Sequence, residues 1–142
     1  MKATQLEEHL SRIDLFHDMS DKAIRRLIGS GREVLHEDGH RVIGEGSDLA
    51  MAFHVVLDGH GVVTSAGVER RIIGPGDSFG EISLIDGEPR SATVIAQGPL
   101  RTFAIPREPF VLLLDDHPEI ARGLLLVLCR RLRQAEASMA GS

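Results

Sequence analysis

From Gly31 to Ile105 the chain is divided by glycine-bearing turns into runs too short to be stable helices. The runs are Val34, His40-Arg41-Val42-Ile43, Ala52 to Leu57, Val62 to Thr64, Arg71 to Ile73, Ala92 to Ala96 and Leu100 to Ile105. Between them stand Asp38-Gly39, Gly44-Glu45-Gly46, Asp58-Gly59 and Gly74-Pro75-Gly76, each reading as a turn. Short β-rich strands with turns this frequent point to an antiparallel barrel or roll.

Helical periodicity stands on both sides of that block. Thr4 with Glu7 reads as a capping box, followed by Leu6, Leu10 and Ile13 at helical spacing. A second helix is expected from Ser20, with Ile24, Leu27 and Ile28 on one face and Gly29 or Gly31 ending it. After Pro106 a short helix should cover Glu108 to Leu114. A long one should run from Pro118, which suits a first helical turn, to about Ala137. On the long helix Ala121, Leu125, Leu128, Leu132, Ala135 and Met139 alternate in fours and threes like a coiled-coil seam. Ile120, Leu124 and Val127 form a second stripe, so the helix should be covered on two sides.

The stretch Phe79 to Val94, FGEISLIDGEPRSATV, carries the chemistry. Gly80 has no Cβ and lets backbone approach a ligand. A helical turn from about Ile82 to Ile85 would aim free N–H groups at an anion. Arg90 is a planar, permanently charged fork suited to phosphate. Glu81, acceptor-only when ionised, must face a hydroxyl. One anion beside one hydroxyl describes a nucleotide.

Gly80, Glu81, Ile82, Ser83 and Leu84, followed by Pro89, Arg90, Ser91, Ala92, Thr93 and Val94, resemble the phosphate-binding cassette of the cyclic-nucleotide-binding domains. That family occurs in the regulatory subunits of cyclic-AMP-dependent kinase and in the bacterial catabolite activator. The resemblance covers roughly Leu15 to Arg133. It includes Gly44-Glu45-Gly46, the run Phe53 to Gly59, and Gly74-Pro75-Gly76-Asp77 at the family's turn positions.

The resemblance implies an α+β domain: an antiparallel, jelly-roll-like β-roll flanked by N-terminal helices and a C-terminal helix pair. Residues 1–142 would form one such domain, with helices in 1–30, the roll in 31–105, its cassette in 79–94, and helices in 106–138. It also implies roles. Arg90 pairs with the exocyclic phosphate oxygens, and Glu81 accepts from the ribose 2′-hydroxyl. The N–H groups of Ile82, Ser83 and Ala92 complete the cradle, and Phe79 opens it. Ser91 touches the phosphate and can also reach a syn guanine, so it does not choose between bases; cyclic AMP is preferred over cyclic GMP. The base should rest near Val63 and near Arg131, Ala135 and Glu136 of the last helix. Two departures stand out. Asp86 and Glu88 add negative charge beside the anion. With no Trp or Tyr in the chain, and Ala135-Glu136 in place of a polar pair, the base lacks an evident lid.

Composition bounds the rest. A chain of 142 residues with 42% hydrophobic and 26% charged residues is long enough for one folded domain. A formal charge of −5 speaks against a surface that neutralises phosphodiesters, so no nucleic acid is expected as partner. The lone Cys129 excludes an internal disulfide, and its apolar surroundings suggest inert packing. No Cys/His pair has zinc-ligand spacing, so no metal is expected. The seven histidines are scattered and read as surface or strand residues rather than ligands. The opening MKATQLEEHL lacks a signal-peptide core, and the longest apolar run, Leu124 to Cys129, is too short to cross a bilayer. The expected setting is the cytoplasm, without membrane contact.

The reading is therefore a stand-alone cyclic-nucleotide sensor, not an enzyme, needing no cofactor besides its ligand. It would act through a homodimer formed by the last helix or through an unidentified protein partner. Its alternative is a module of the same fold whose pocket is empty or holds a different effector. A catabolite-activator type of regulator is disfavoured because no helix-turn-helix follows the long helix.

Overall fold

Ser20 sets the start of the second helix, because its hydroxyl accepts from the Ala23 N–H at 3.1 Å and satisfies an otherwise orphan donor. A computed structural model describes residues 3–17, 19–43, 52–80 and 92–140. Helix α1 spans Ala3–Ser11. A 3-10 turn covers Asp14–Phe16, and α2 spans Asp21–Ser30. Strands follow as β1 Arg32–His36, β2 Arg41–Ile43, β3 Ala52–Ser65, β4 Val68–Ile73, β5 Ser78–Phe79 and β6 Thr93–Pro106. Two helices close the order, α3 Arg107–Asp116 and α4 Pro118–Ala140.

The strands form one antiparallel sheet in the order β1-β6-β3-β4, with β2 also pairing β6 and β5 also pairing β3. This is the expected α+β arrangement, a jelly-roll-like antiparallel sheet with flanking helices. Successive side chains point to opposite faces, and the two faces feed two cores. Phe53, Val55, Leu57, Phe103 and Ile105 pack against Leu10, Ile24, Leu27, Phe110, Ile120 and Leu124 of the helices. Val56, Val63, Ile73, Phe79, Val94 and Leu100 fill the interior of the roll.

Asp58-Gly59 is not a turn. The segments expected as separate strands, Ala52 to Leu57 and Val62 to Thr64, belong to the single 14-residue strand β3. Ala92 to Ala96 and Leu100 to Ile105 likewise merge into β6, also 14 residues long. The glycines mark irregularities instead: the β3/β6 register shifts between Val56 and Asp58 and again between Gly59 and His60. Gly59 has φ +86°, and a Cβ there would lie 2.1 Å from the Pro99 carbonyl oxygen. Bulges of this kind bend a strand and increase its twist, which lets one long pair serve both ends of the roll. The hairpin from β3 to β4 turns at Ala66-Gly67 instead.

Three further expectations shift. Helix α1 begins at Ala3, so Thr4 stands inside it rather than at its cap. The last helix runs three residues past Ala137, to Ala140. Cys129 is exposed, not packed: one step past the half-buried Leu128, a helix turns about 100° away from its buried stripe. Of the two glycines that could close α2, Gly31 does so, in an extended conformation at φ −134°. The Gly44-Glu45-Gly46 turn and the helical turn at Ile82 to Ile85 lie outside the described residues.

Candidate functional site

The loop from Gly74 to Asp77 fixes where β5 begins. Asp77 Oδ2 accepts from the Gly74 N–H at 2.9 Å. Val56 of β3 holds the loop from the other side, donating to the Asp77 carbonyl at 2.8 Å and accepting from the Gly76 N–H at 2.9 Å. Ser78 and Phe79 are thereby laid against Val55 and His54. Phe79 is buried, and its ring lies face to face with His54, 4.8 Å between centroids and 3° from parallel.

Gly80 follows with φ +91°, a conformation that a side chain would disfavour. Of the other expected site residues, Glu81, Ile82, Ser83, Arg90 and Ser91 lie outside the described residues. The chain is described again from Ala92, which packs partly buried against the interior of the roll. Thr93 and Val94 then pair with Thr64 and Val63. Both ends of the cassette are thus anchored on β3, at His54 and at Val63.

Helix α4 reaches the same place through Arg131. Its guanidinium donates to the Ser78 carbonyl, and Nη2 lies 3.5 Å from Ser78 Oγ. Burial and then the neighbouring Arg71 lower the Arg131 pKa to about 10, while Asp77 opposes them. Arg71 is also lowered, first by burial, with Asp77 again acting in the opposite sense. Both guanidinium groups stay charged at neutral pH. They line a cavity of about 170 Å³ with Asp77, Ser78, Gln134 and Val127.

Of the four residues expected around the base, Val63 is buried in the roll and pairs across the sheet with Arg71. Arg131 stands in the cavity that Arg71 lines. Ala135 and Glu136, one turn further on, face solvent in the single chain. Ser78 and Arg71 carry no motif of their own in the sequence. Asp77 stands in the Gly74-Pro75-Gly76-Asp77 stretch, which matches the family's turn positions but does not signal a charge beside two arginines. Chemically, this cavity sets Arg71, Arg130 and Arg131 against the single carboxylate of Asp77, an excess of positive charge that suits an anionic group. Among the described residues no group of three or more His, Cys, Asp or Glu could hold a metal ion, and no helix is long and apolar enough to cross a membrane.

Comparison with known proteins bears on the family and the fold. A family model described as the cyclic nucleotide-binding domain matches residues 33–117. The chain is 31% identical over 130 residues to the cyclic AMP receptor protein of Thermus thermophilus, covering 88% of this chain and 60% of that protein. It is 33% identical over 127 residues to a cAMP-dependent protein kinase regulatory subunit of Yarrowia lipolytica, covering 87% of this chain and 34% of the relative. A CRP-like cAMP-activated global transcriptional regulator of Mycobacterium tuberculosis is 29% identical over 140 residues, 95% of this chain and 62% of that protein. The chain thus spans about 60% of the length of these bacterial relatives. Among solved structures, the catabolite activator protein of Thermus thermophilus superposes with a TM-score of 0.78 at 30% identity, over 89% of this chain and 62% of the other. The sensor domain of the transcriptional regulator DNR from Pseudomonas aeruginosa superposes with a TM-score of 0.74 at 25% identity, over 92% and 91%. With more than half of its residues matched by that family model and the roll and flanking helices in place, the chain belongs to the cyclic nucleotide-binding domain family.

Proposed function

We propose that this chain is a cyclic-nucleotide sensor, without catalytic activity of its own, that prefers cyclic AMP to cyclic GMP. The observation that carries the reading is the filled cassette motif between two anchored ends, Gly80 in its left-handed conformation and Ala92 against the roll. In this reading Arg90 pairs with the phosphate and Glu81 accepts from the 2′-hydroxyl. The N–H groups of Ile82, Ser83 and Ala92 complete the cradle, with Ser91 beside the phosphate. The base lies toward Val63 and the Arg131 to Glu136 turn of α4. The names of the relatives, cyclic AMP receptor and kinase regulatory subunit, support cyclic AMP.

Output passes through a second copy or another protein. Leu125, Leu132 and Met139 are 63%, 60% and 77% exposed along one side of α4, an apolar seam with the spacing of a helix pair. The formal charge of −5 supports a sensing role for these residues rather than a DNA-binding one. A ligand moves such an equilibrium only by its differential affinity for two states, typically ~1–3 kcal/mol. The Arg131 contact gives α4 a direct hold on the strand that enters the cassette.

Isothermal calorimetry tests the ligand. Cyclic AMP should bind more tightly than cyclic GMP, and Arg90→Ala should weaken it by ~2–5 kcal/mol, because a buried phosphate charge is left unpaired. Unchanged affinity in Arg90→Ala would overturn the assignment. The second reading, a different effector in the same pocket, draws on the solvent-facing Ala135 and Glu136, which offer the base little. It predicts no heat with either nucleotide.

A further inference from the structure

Among the described residues four polar side chains are buried, and Ser78 is met by Arg131. The other three meet one another. His36 of β1 and His54 of β3 both turn a ring nitrogen to one hydroxyl: His36 Nε2 and His54 Nδ1 each lie 3.0 Å from Thr102 Oγ1 on β6. A hydroxyl carries one proton, so it can donate to at most one of these nitrogens. The other must present an N–H to it.

The rings continue in both directions. Exposed His40 stacks on His36 with centroids 5.5 Å apart and planes at 13°. His36 meets His54 edge-on at 5.9 Å. His54 in turn carries the Phe79 ring on its face. Four rings therefore run in contact from the surface at His40 to the residue that precedes Gly80. His36 and His54 also line a cavity of about 890 Å³, large enough to admit water and hence protons. The charged groups facing the pair across it are Arg32 of β1 and Arg107 and Glu108 of α3. His40 faces His36 from the turn before β2, and β6 presents the neutral Thr102.

We infer that the His36–Thr102–His54 cluster is a proton-sensitive element that couples acid pH to the nucleotide site through Phe79. The part of this inference that concerns nucleotide affinity rests on the function proposed above. In the inferred arrangement His36 Nε2 accepts from the Thr102 hydroxyl and His54 Nδ1 donates to it, so a proton added at His36 Nε2 turns that acceptor into a donor. The hydroxyl must then rotate its own hydrogen elsewhere in a fully buried wall. The rings tilt to accommodate this, and Phe79, stacked on His54, moves with them. Burial, and then His40, lower the His36 pKa below its ordinary value, so the folded domain favours neutral His36. The sign follows from linkage. The unfolded chain takes up its proton first as pH falls through about 6.5, so the stability from neutral His36 is present above that pH. It is lost progressively below it, until the folded state is protonated too.

The test is an NMR titration of the full chain without nucleotide, from about pH 8 to about pH 5, following histidine ring carbons and the amides of Phe79 and Gly80. The expected result is a His36 midpoint below the ordinary imidazole value, with both amides moving at that same midpoint. His36→Gln should abolish that movement. His40→Ala, at an exposed position that does not threaten folding, should raise the midpoint of ring and amides together. Amides that stay flat while His36 titrates overturn the inference, as do amides whose midpoint is the same in His40→Ala as in the wild type. With cyclic AMP, affinity should fall about five-fold from near pH 7.5 to near pH 5.5, and less in His36→Gln. If neither nucleotide binds at neutral pH, the proposed function fails while the ligand-free amide titration still decides this inference.

Discussion

Gly31 lies so close to Ala104 that a Cβ on Gly31 would stand 2.5 Å from the Ala104 carbonyl oxygen and 2.9 Å from the Phe103 ring. Its φ of −134° is ordinary extended backbone, so the requirement for glycine here is space alone. The carbonyl cannot move aside cheaply, because Ala104 is the register partner of Arg32 in the β1/β6 pair.

Gly31→Ala should therefore destabilise the domain by ~1–3 kcal/mol, the usual penalty of overpacking. Gly29, two residues earlier and inside α2, has open space around it, with nothing within 4 Å of where a Cβ would stand. Gly29→Ala should stabilise by about 0.5–1 kcal/mol, since alanine is the better helix residue. Urea unfolding of the pair checks both. Equal and small effects would show that the β1/β6 edge yields more readily than its pairing implies.

Arg131 offers a test of the link between α4 and the cassette. Arg131→Ala removes a charge-assisted hydrogen bond to the Ser78 carbonyl and should cost about 1.5–3 kcal/mol of stability. Arg131→Lys should recover only part of it, because a flexible ammonium does not reproduce the planar fork. Hydrogen exchange at Phe79 and Gly80 is the sharper readout. Protection there should fall in Arg131→Ala while that of the β1/β6 pair is kept, and uniform loss across the sheet would count against a local link.

The apolar seam of α4 predicts an assembly state. Replacing Leu125 and Leu132 together by glutamate should leave the stability of the monomer nearly unchanged, within about 0.5 kcal/mol, since both side chains are exposed in the single chain. Light scattering at micromolar concentration should show a dimer for the wild type and a monomer for the double variant. A monomeric wild type would remove the seam as a pairing surface.

Much of this architecture could be read from residues alone, and the exceptions in the sheet share a cause. The Ser20 cap and Pro118 at the first turn of α4 are local signals that held, whereas the equally local Thr4–Glu7 box does not mark the start of α1. Asp58-Gly59 and Gly98-Pro99 have the chemistry of a turn and the chemistry of a bulge at once. Only the strand across from them decides which, and that strand lies far away in sequence. The cluster at Thr102 escaped for the same reason. Alternation assigns His36 and His54 to a face of the roll, but their meeting depends on a residue 66 and 48 positions away from them. Arg131 was placed near the site by resemblance, whereas its partner Ser78 carried no motif of its own.

The long β3/β6 ladder has a consequence for how the domain forms. Ala52 must find Pro106 and Thr64 must find Thr93 before the sheet closes. Non-local pairings of this kind require loop closure before any contact repays it, and they slow folding relative to helical domains. A nascent chain released before β6 has emerged lacks the strand on which β1, β2 and β3 all depend, so partial synthesis should give no partly folded sheet.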